Sequence, residues 1–225
     1  MFVGHYGVSF AIKRSNPAIP LWVLFVAVQM LDVVWSPLVL LGIEKVRIVP
    51  GITRSNAFDL YYMPFTHSLA AALLWSLGAA GFYRLVARRS TTGSSALVGL
   101  AVFSHWALDF IVHRPDLPLY DNSAKVGLGL WNLPTVAFGL EAFLLFGGFF
   151  LCARAGLVRR TWGAVFCVAM LSIHAYVFFG PPPASPAAAA MTALVAYVMF
   201  AGVIYVLERK PTVDARLAHA VVIKD

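Results

Sequence analysis

The stretch SHWALDFIVHRPDLPLY, Ser104 to Tyr120, gathers two histidines, two aspartates and an arginine into seventeen positions of a strongly apolar chain. His105 and Asp109 are four apart, so on a helix they share a face one turn apart, the spacing at which an imidazole and a carboxylate can bind one metal ion. Their neighbours are Phe103, Trp106, Ala107, Leu108, Phe110, Ile111 and Val112. Such a helix sits in lipid, where ionisable groups are costly and point to function.

The rest of the chain supplies that lipid-embedded setting. Of 225 residues, 60% are hydrophobic and only 12% charged, with apolar runs long enough for a hydrocarbon core that needs ~20 helical residues. The fold class is therefore an all-α polytopic membrane protein, about six transmembrane helices plus a short N-terminal half-helix. The formal net charge is +7, but the basic residues stand at the ends of apolar runs, which is an orientation signal and excludes a nucleic-acid patch. Cys152 and Cys167 have no CxxC spacing and read as small apolar filler. Lys13 and Arg14 follow the first apolar stretch and no small-residue cleavage site follows Leu41, so the chain is expected to insert whole.

Residues 1–225 read as a single transmembrane helical domain. Met1 to Ile12 is too short to span and ends at Lys13, Arg14 and the breaker cluster Ser15-Asn16-Pro17, giving a half-helix over 1–14. Six spans follow within 18–207, at about 18–41, 65–87, 95–112, 131–153, 162–180 and 187–207, and a tail over 208–225. Twelve of the seventeen Lys and Arg residues fall on the side of the two termini and five on the other. The positive-inside rule puts both termini in the cytoplasm. Pro181 to Pro186 reads as a stiff uncharged turn.

Asp32 lies in the first span, His67 opens the second, His105 and Asp109 lie in the third and Glu141 in the fourth. At ~1.5 Å per residue from the cytoplasmic boundary, His105 lies at ~15 Å, Asp32 and Glu141 at ~20 Å, Asp109 at ~21 Å and His67 at ~25 Å. A half-helix dipping upward from Lys13 brings His5 to ~12 Å. Each group alone has a structural reading: a His–carboxylate pair at His105 and Asp109, a helix cap at His67, an interhelical partner at His174. Together, His5, Asp32, His67, His105 and Asp109 at compatible depths favour an inward-facing site with N and O donors.

At the outer mouth, Glu44, Lys45, Arg47, Arg54, Asp59, His113, Arg114, Asp116 and Asp121 read mostly as solvated loop charges. Arg114 stands just above Asp109 and can hold a substrate phosphate or carboxylate. Glu141 or the free oxygen of Asp32 can act as general base. The Gly127-Leu128-Gly129-Leu130-Trp131 run lacks a dinucleotide-binding context and reads as a tight turn.

Gly4-His5-Tyr6-Gly7, QMLDVVW at 29–35, YMPFTHSL at 62–69 and the Ser104–Tyr120 stretch resemble the bacterial membrane-bound metal-dependent hydrolases of the inner membrane. The resemblance runs to about Gly180. It implies His5, Asp32, His67, His105 and Asp109 as metal ligands, a divalent metal of zinc type in one to three copies, and hydrolysis. The ligand order is similar to part of that in zinc-dependent phospholipase C enzymes, which implies phosphoester chemistry; no second His-x-x-x-Glu follows downstream. The expected partners are the lipid bilayer and a lipid-like or phosphorylated amphiphilic substrate, with no nucleic acid. Two other classes stay open: a proton- or metal-ion-coupled transporter or channel built on the same cluster, and a non-catalytic membrane scaffold with a structural metal.

Overall fold

The computed structural model describes residues 1–88 and 90–208. Helices dominate: α1 (Gly4–Ser15), α2 (Leu21–Val28), α3 (Met30–Leu40), α4 (Leu69–Val86), α5 (Thr92–Val112), α6 (Pro134–Arg154), α7 (Arg160–Phe179) and α8 (Pro186–Leu207), with two short strands, β1 (Lys45–Ile48) and β2 (Phe58–Tyr62). Helices α4 to α8 are each long and apolar enough to cross a membrane, and α2 with α3 makes a sixth span if the bent pair is counted as one. The tail beyond Glu208 and Arg89 lie outside the described residues.

Helix α1 is the short N-terminal helix, and it is enclosed by the bundle. Its last turn carries Lys13 and Arg14, favourable at the negative end of a helix, and Pro17 pushes Asn16 out of the helical region, to φ −136°. A half-helix away from water must have its free backbone groups satisfied by protein. Glu141 does this at the N-terminal end, its Oε2 accepting from the amides of Phe2 at 2.8 Å and Gly4 at 3.1 Å. At the other end the Lys13 ammonium, buried, donates to the carbonyls of Pro17 and Ile19 and to Glu208 Oε1 at 2.5 Å. The second oxygen of Glu208 accepts from the Leu21 amide at 2.9 Å, so one ion pair joins α1, α2 and the end of α8.

Helices α1 and α6 meet backbone to backbone at two glycines. A Cβ on Gly7 would overlap the Leu144 carbonyl, and one on Gly148 would overlap the carbonyl of Gly7. Around this contact Tyr6, Phe10, Phe25, Phe149 and Phe200 form the inner core.

The first span differs from the continuous helix expected over 18–41. It breaks at Gln29, with α2 and α3 at 52° to one another. The Gln29 side chain donates to the Phe2 carbonyl at 3.1 Å, so the break packs against the segment leading into α1.

The outer connections are also more ordered than expected. Strands β1 and β2 pair antiparallel, with Arg47 opposite Asp59. Val46, Leu60 and Met63 join Trp35, Leu117 and Trp131 in a second apolar core that covers this end of the bundle. Strands of four and five residues interrupted by charges give little period-2 signal, which is why 42–64 reads as loop. Glu44, Asp59, His113 and Asp116 are buried here, a correction to the reading of these residues as solvated loop charges: the hairpin lies over them. The 113–130 connection folds back on α4, the carbonyls of Pro118 and Leu119 accepting from the amides of Leu69 and Ala70. The proline-rich turn ends at Ser185, which caps α8 through the Ala188 amide at 3.1 Å.

The glycine contact gives a direct test. Gly7→Ala is expected to destabilise the detergent-solubilised protein by roughly 1–3 kcal/mol through overpacking. Gly202→Ala, where nothing lies within 4 Å of the added carbon, is expected to be neutral or slightly stabilising, because alanine is the better helix former. Thermal melts of the two variants beside wild type measure the difference, and equal midpoints would remove the close-approach argument.

Candidate metal centre

Helix α5 forms one wall of the site. His105, Asp109 and His113 follow at four-residue intervals, and all three are buried. Asp109 Oδ2 lies 3.1 Å from His105 Nε2 and 3.6 Å from His113 Nε2. Helix α1 delivers His5 from the opposite side: its ring stacks on that of His105 with centroids 4.0 Å apart and 10° between planes, and its Nε2 is 3.3 Å from Asp109 Oδ1. The Met1 amine also contacts that oxygen. His67 stands in the turn before α4, with Nε2 3.3 Å from Asp32 Oδ1 and 3.8 Å from Asp109 Oδ2. Asp32 belongs to the first turn of α3, immediately after the break, and its Oδ1 is 3.7 Å from His105 Nε2.

The broken span and the hairpin set the histidine tautomers. The bend at Gln29 leaves the Val28 carbonyl to accept from His105 Nδ1 at 2.7 Å. A carbonyl only accepts, so Nδ1 carries the proton, and in the neutral ring Nε2 presents a lone pair. Thr66 gives its hydroxyl proton to Glu44 Oε2 at 2.6 Å, so its oxygen accepts from His67 Nδ1 at 2.7 Å. Glu44 is fixed in turn by the amides of Phe65 and Thr66. Asp116 Oδ1 accepts from His113 Nδ1 at 2.9 Å. Three Nε2 lone pairs thus face the oxygens of Asp32 and Asp109. Lone pairs aimed at carboxylates repel unless a proton or a metal cation lies between them, and second partners of this kind orient metal-ligating histidines.

Two overlapping groups have ligand atoms within 4.8 Å of one another: His5, His105 and Asp109, and Asp32, His67 and His105. His105 Nε2 and both ring nitrogens of His5 are buried without a hydrogen-bond partner, the condition expected of atoms that take an ion. Imidazole and carboxylate groups are both ordinary metal ligands. These buried His and Asp groups can hold a metal ion.

The remaining sequence candidates sit differently. Glu141 Oε2 caps α1, while Oε1 lies 3.6 Å from His174 Nε2. Glu141 therefore holds the helix that carries His5. His174 stacks flat on Phe138, with centroids 5.3 Å apart, outside the cluster. Arg114 donates to Asp59 Oδ1 at 2.5 Å and lies 3.2 Å from Asp116 Oδ2, tying the hairpin to the residue that orients His113. Nearby, burial pulls the Lys125 ammonium below its ordinary pKa, with Asp116 and Asp59 opposing and Arg114 adding to the effect. His113 was the ligand candidate the loop reading missed; its signal was present, one helical turn beyond Asp109. Glu44 and Tyr197, whose hydroxyl donates to Asp32 Oδ2 at 2.7 Å, had no local signal, since only the fold brings them to the site.

Thr66→Val removes the hydroxyl at nearly constant shape. It is expected to weaken zinc binding roughly 10- to 100-fold, read by competition with a fluorescent chelator in detergent; unchanged affinity would exclude the Glu44–Thr66–His67 chain from the site. No family model, curated protein or solved structure matches the chain.

Proposed function

We propose that the chain is a membrane-embedded metal-dependent hydrolase of zinc type, acting on a phosphoester or acyl bond of a lipid-like substrate. The observation that carries this reading is the meeting of four histidines and two aspartates inside an apolar bundle, three of the histidines with Nε2 lone pairs turned inward. Six such side chains exceed the four positions of one tetrahedral zinc ion, which favours more than one ion. When bound, such an ion lowers the pKa of a coordinated water to about 7 and polarises a phosphoryl or acyl oxygen.

The chain's own groups then divide the work. His5, His67, His105, His113 and Asp109 hold the ions, their side chains 4% exposed or less. The Asp32 side chain is 17% exposed, and its Oδ1, facing His67 and His105, holds an ion at the most open edge of the site, beside the attacking water. Glu141, held by two amides, serves the scaffold in this scheme. Arg114 binds an anionic substrate group in exchange for Asp59, a charge-assisted contact for which a guanidinium fork is suited. The ion pair of Lys13 with Glu208 ties α1 to α8 at one end of the bundle and the apolar cap covers the other, which favours an amphiphile arriving from the bilayer. The distribution of Lys and Arg favours both termini in the cytoplasm, and the resemblance to bacterial inner-membrane hydrolases favours that membrane.

The test is metal analysis joined to turnover. Purified protein is expected to carry one or more zinc ions per chain and to hydrolyse a member of a phospholipid and lipid-phosphate panel. Chelation should abolish both, zinc should restore both, and His105→Ala should lose both. Intact, metal-free protein would sink the metal reading. Zinc-loaded protein that passes ions in liposomes but turns over no lipid would replace the hydrolase with a transporter.

A further inference from the structure

We infer that Tyr197 of α8 is a positioning residue of the metal centre, acting through Asp32. This rests on the metal reading above and extends it to a helix beyond the stretch that resembles the hydrolases. The buried residues of α8 form a narrow stripe, Ala190, Tyr197, Phe200 and Ile204. Three of these are apolar, and packing alone accounts for them. Tyr197 places its hydroxyl at Asp32 and donates to Oδ2 at 2.7 Å. Its ring is fixed edge-on against Phe2, with centroids 6.1 Å apart, and Phe2 lies next to the segment that carries His5.

The consequence is chemical. A carboxylate has two equivalent oxygens and can bind an ion with one or both. The Tyr197 hydroxyl occupies Oδ2 and leaves Oδ1 facing His67 Nε2 at 3.3 Å and His105 Nε2 at 3.7 Å. Asp32 is thereby held as a one-oxygen ligand, in a rotamer set from a different helix. Since α3 begins at the break after Gln29, α3 takes little orientation from α2, and the tyrosine supplies part of what the broken helix gives up. A phenol suits this place because its donor stands at the end of a rigid ring that is otherwise at home in the apolar core.

Full-length protein loaded with Co2+ in detergent provides a readout that a structural role would not move, the visible d–d spectrum, alongside affinity by chelator competition. Tyr197→Phe is expected to bind cobalt about tenfold more weakly, with weaker visible bands as Asp32 binds through both oxygens and the coordination number rises. Tyr205→Phe, on the same helix but exposed, is expected to match wild type. A Tyr197→Phe protein that folds and equals wild type in affinity and spectrum overturns the inference. If that variant does not fold, 3,5-difluorotyrosine at position 197, a stronger donor of nearly the same shape, is expected to shift the cobalt bands, and an unshifted spectrum overturns it. Wild type that takes up no cobalt fails the metal reading itself, an outcome distinct from loss of the Tyr197 effect alone.

Discussion

A neutral imidazole that donates its Nδ1 proton to a fixed acceptor carries a lone pair at Nε2, and three such rings meet two carboxylates in the middle of an apolar bundle. The Met1 amine lies against one oxygen of Asp109, and any carboxylate left uncompensated at this depth is costly. The acceptors are a backbone carbonyl, a threonine already committed to Glu44, and Asp116. Each comes from a different part of the chain. The site is therefore only as well formed as the fold that brings Val28, Thr66 and Asp116 to it.

The irregular parts of the structure are the ones that build the site. A straight first span would use the Val28 carbonyl in its own helix; the break at Gln29 frees it for His105 and puts Asp32 in the first turn of α3. A spanning first helix would carry His5 past the site, whereas a half-helix stopped by Lys13, Arg14 and Pro17 ends its N-terminal turn beside His105. The cost of that half-helix, free amides away from water, is offset by Glu141. The hairpin holds Glu44 and Asp59 inside the cap, and through Arg114 it meets Asp116. Regular helices α4 to α8 make the wall, and departures from regularity supply the chemistry.

The membrane architecture and the convergence of five polar residues were legible because each rests on a local or additive property. Apolar run length marks spans, and rise per residue assigns depth. That arithmetic brought His5, Asp32, His67, His105 and Asp109 to one slab, and the structure brings the five together. His113 was legible in principle, at helical spacing from Asp109, but the following Arg114-Pro115-Asp116 made it look like loop. The bend at Gln29 was not legible, since no proline or glycine marks it. Glu44 and Tyr197 are far in sequence from what they contact, and a lone Glu in a polar connection or a Tyr in an apolar span gives no sign of its partner. Glu141 was visible as an intramembrane carboxylate, but its use in capping α1 depends on a packing partner that periodicity does not reveal.

The central claim is that histidines and carboxylates of this cluster bind a zinc-type ion with no sulfur in its shell. X-ray absorption at the zinc edge of the purified protein measures this most directly. The account predicts a first shell of nitrogen and oxygen at about 2.0–2.1 Å, with the outer-shell scattering of at least two imidazole rings. A shell containing sulfur at about 2.3 Å, or a shell without imidazole scattering, would contradict it.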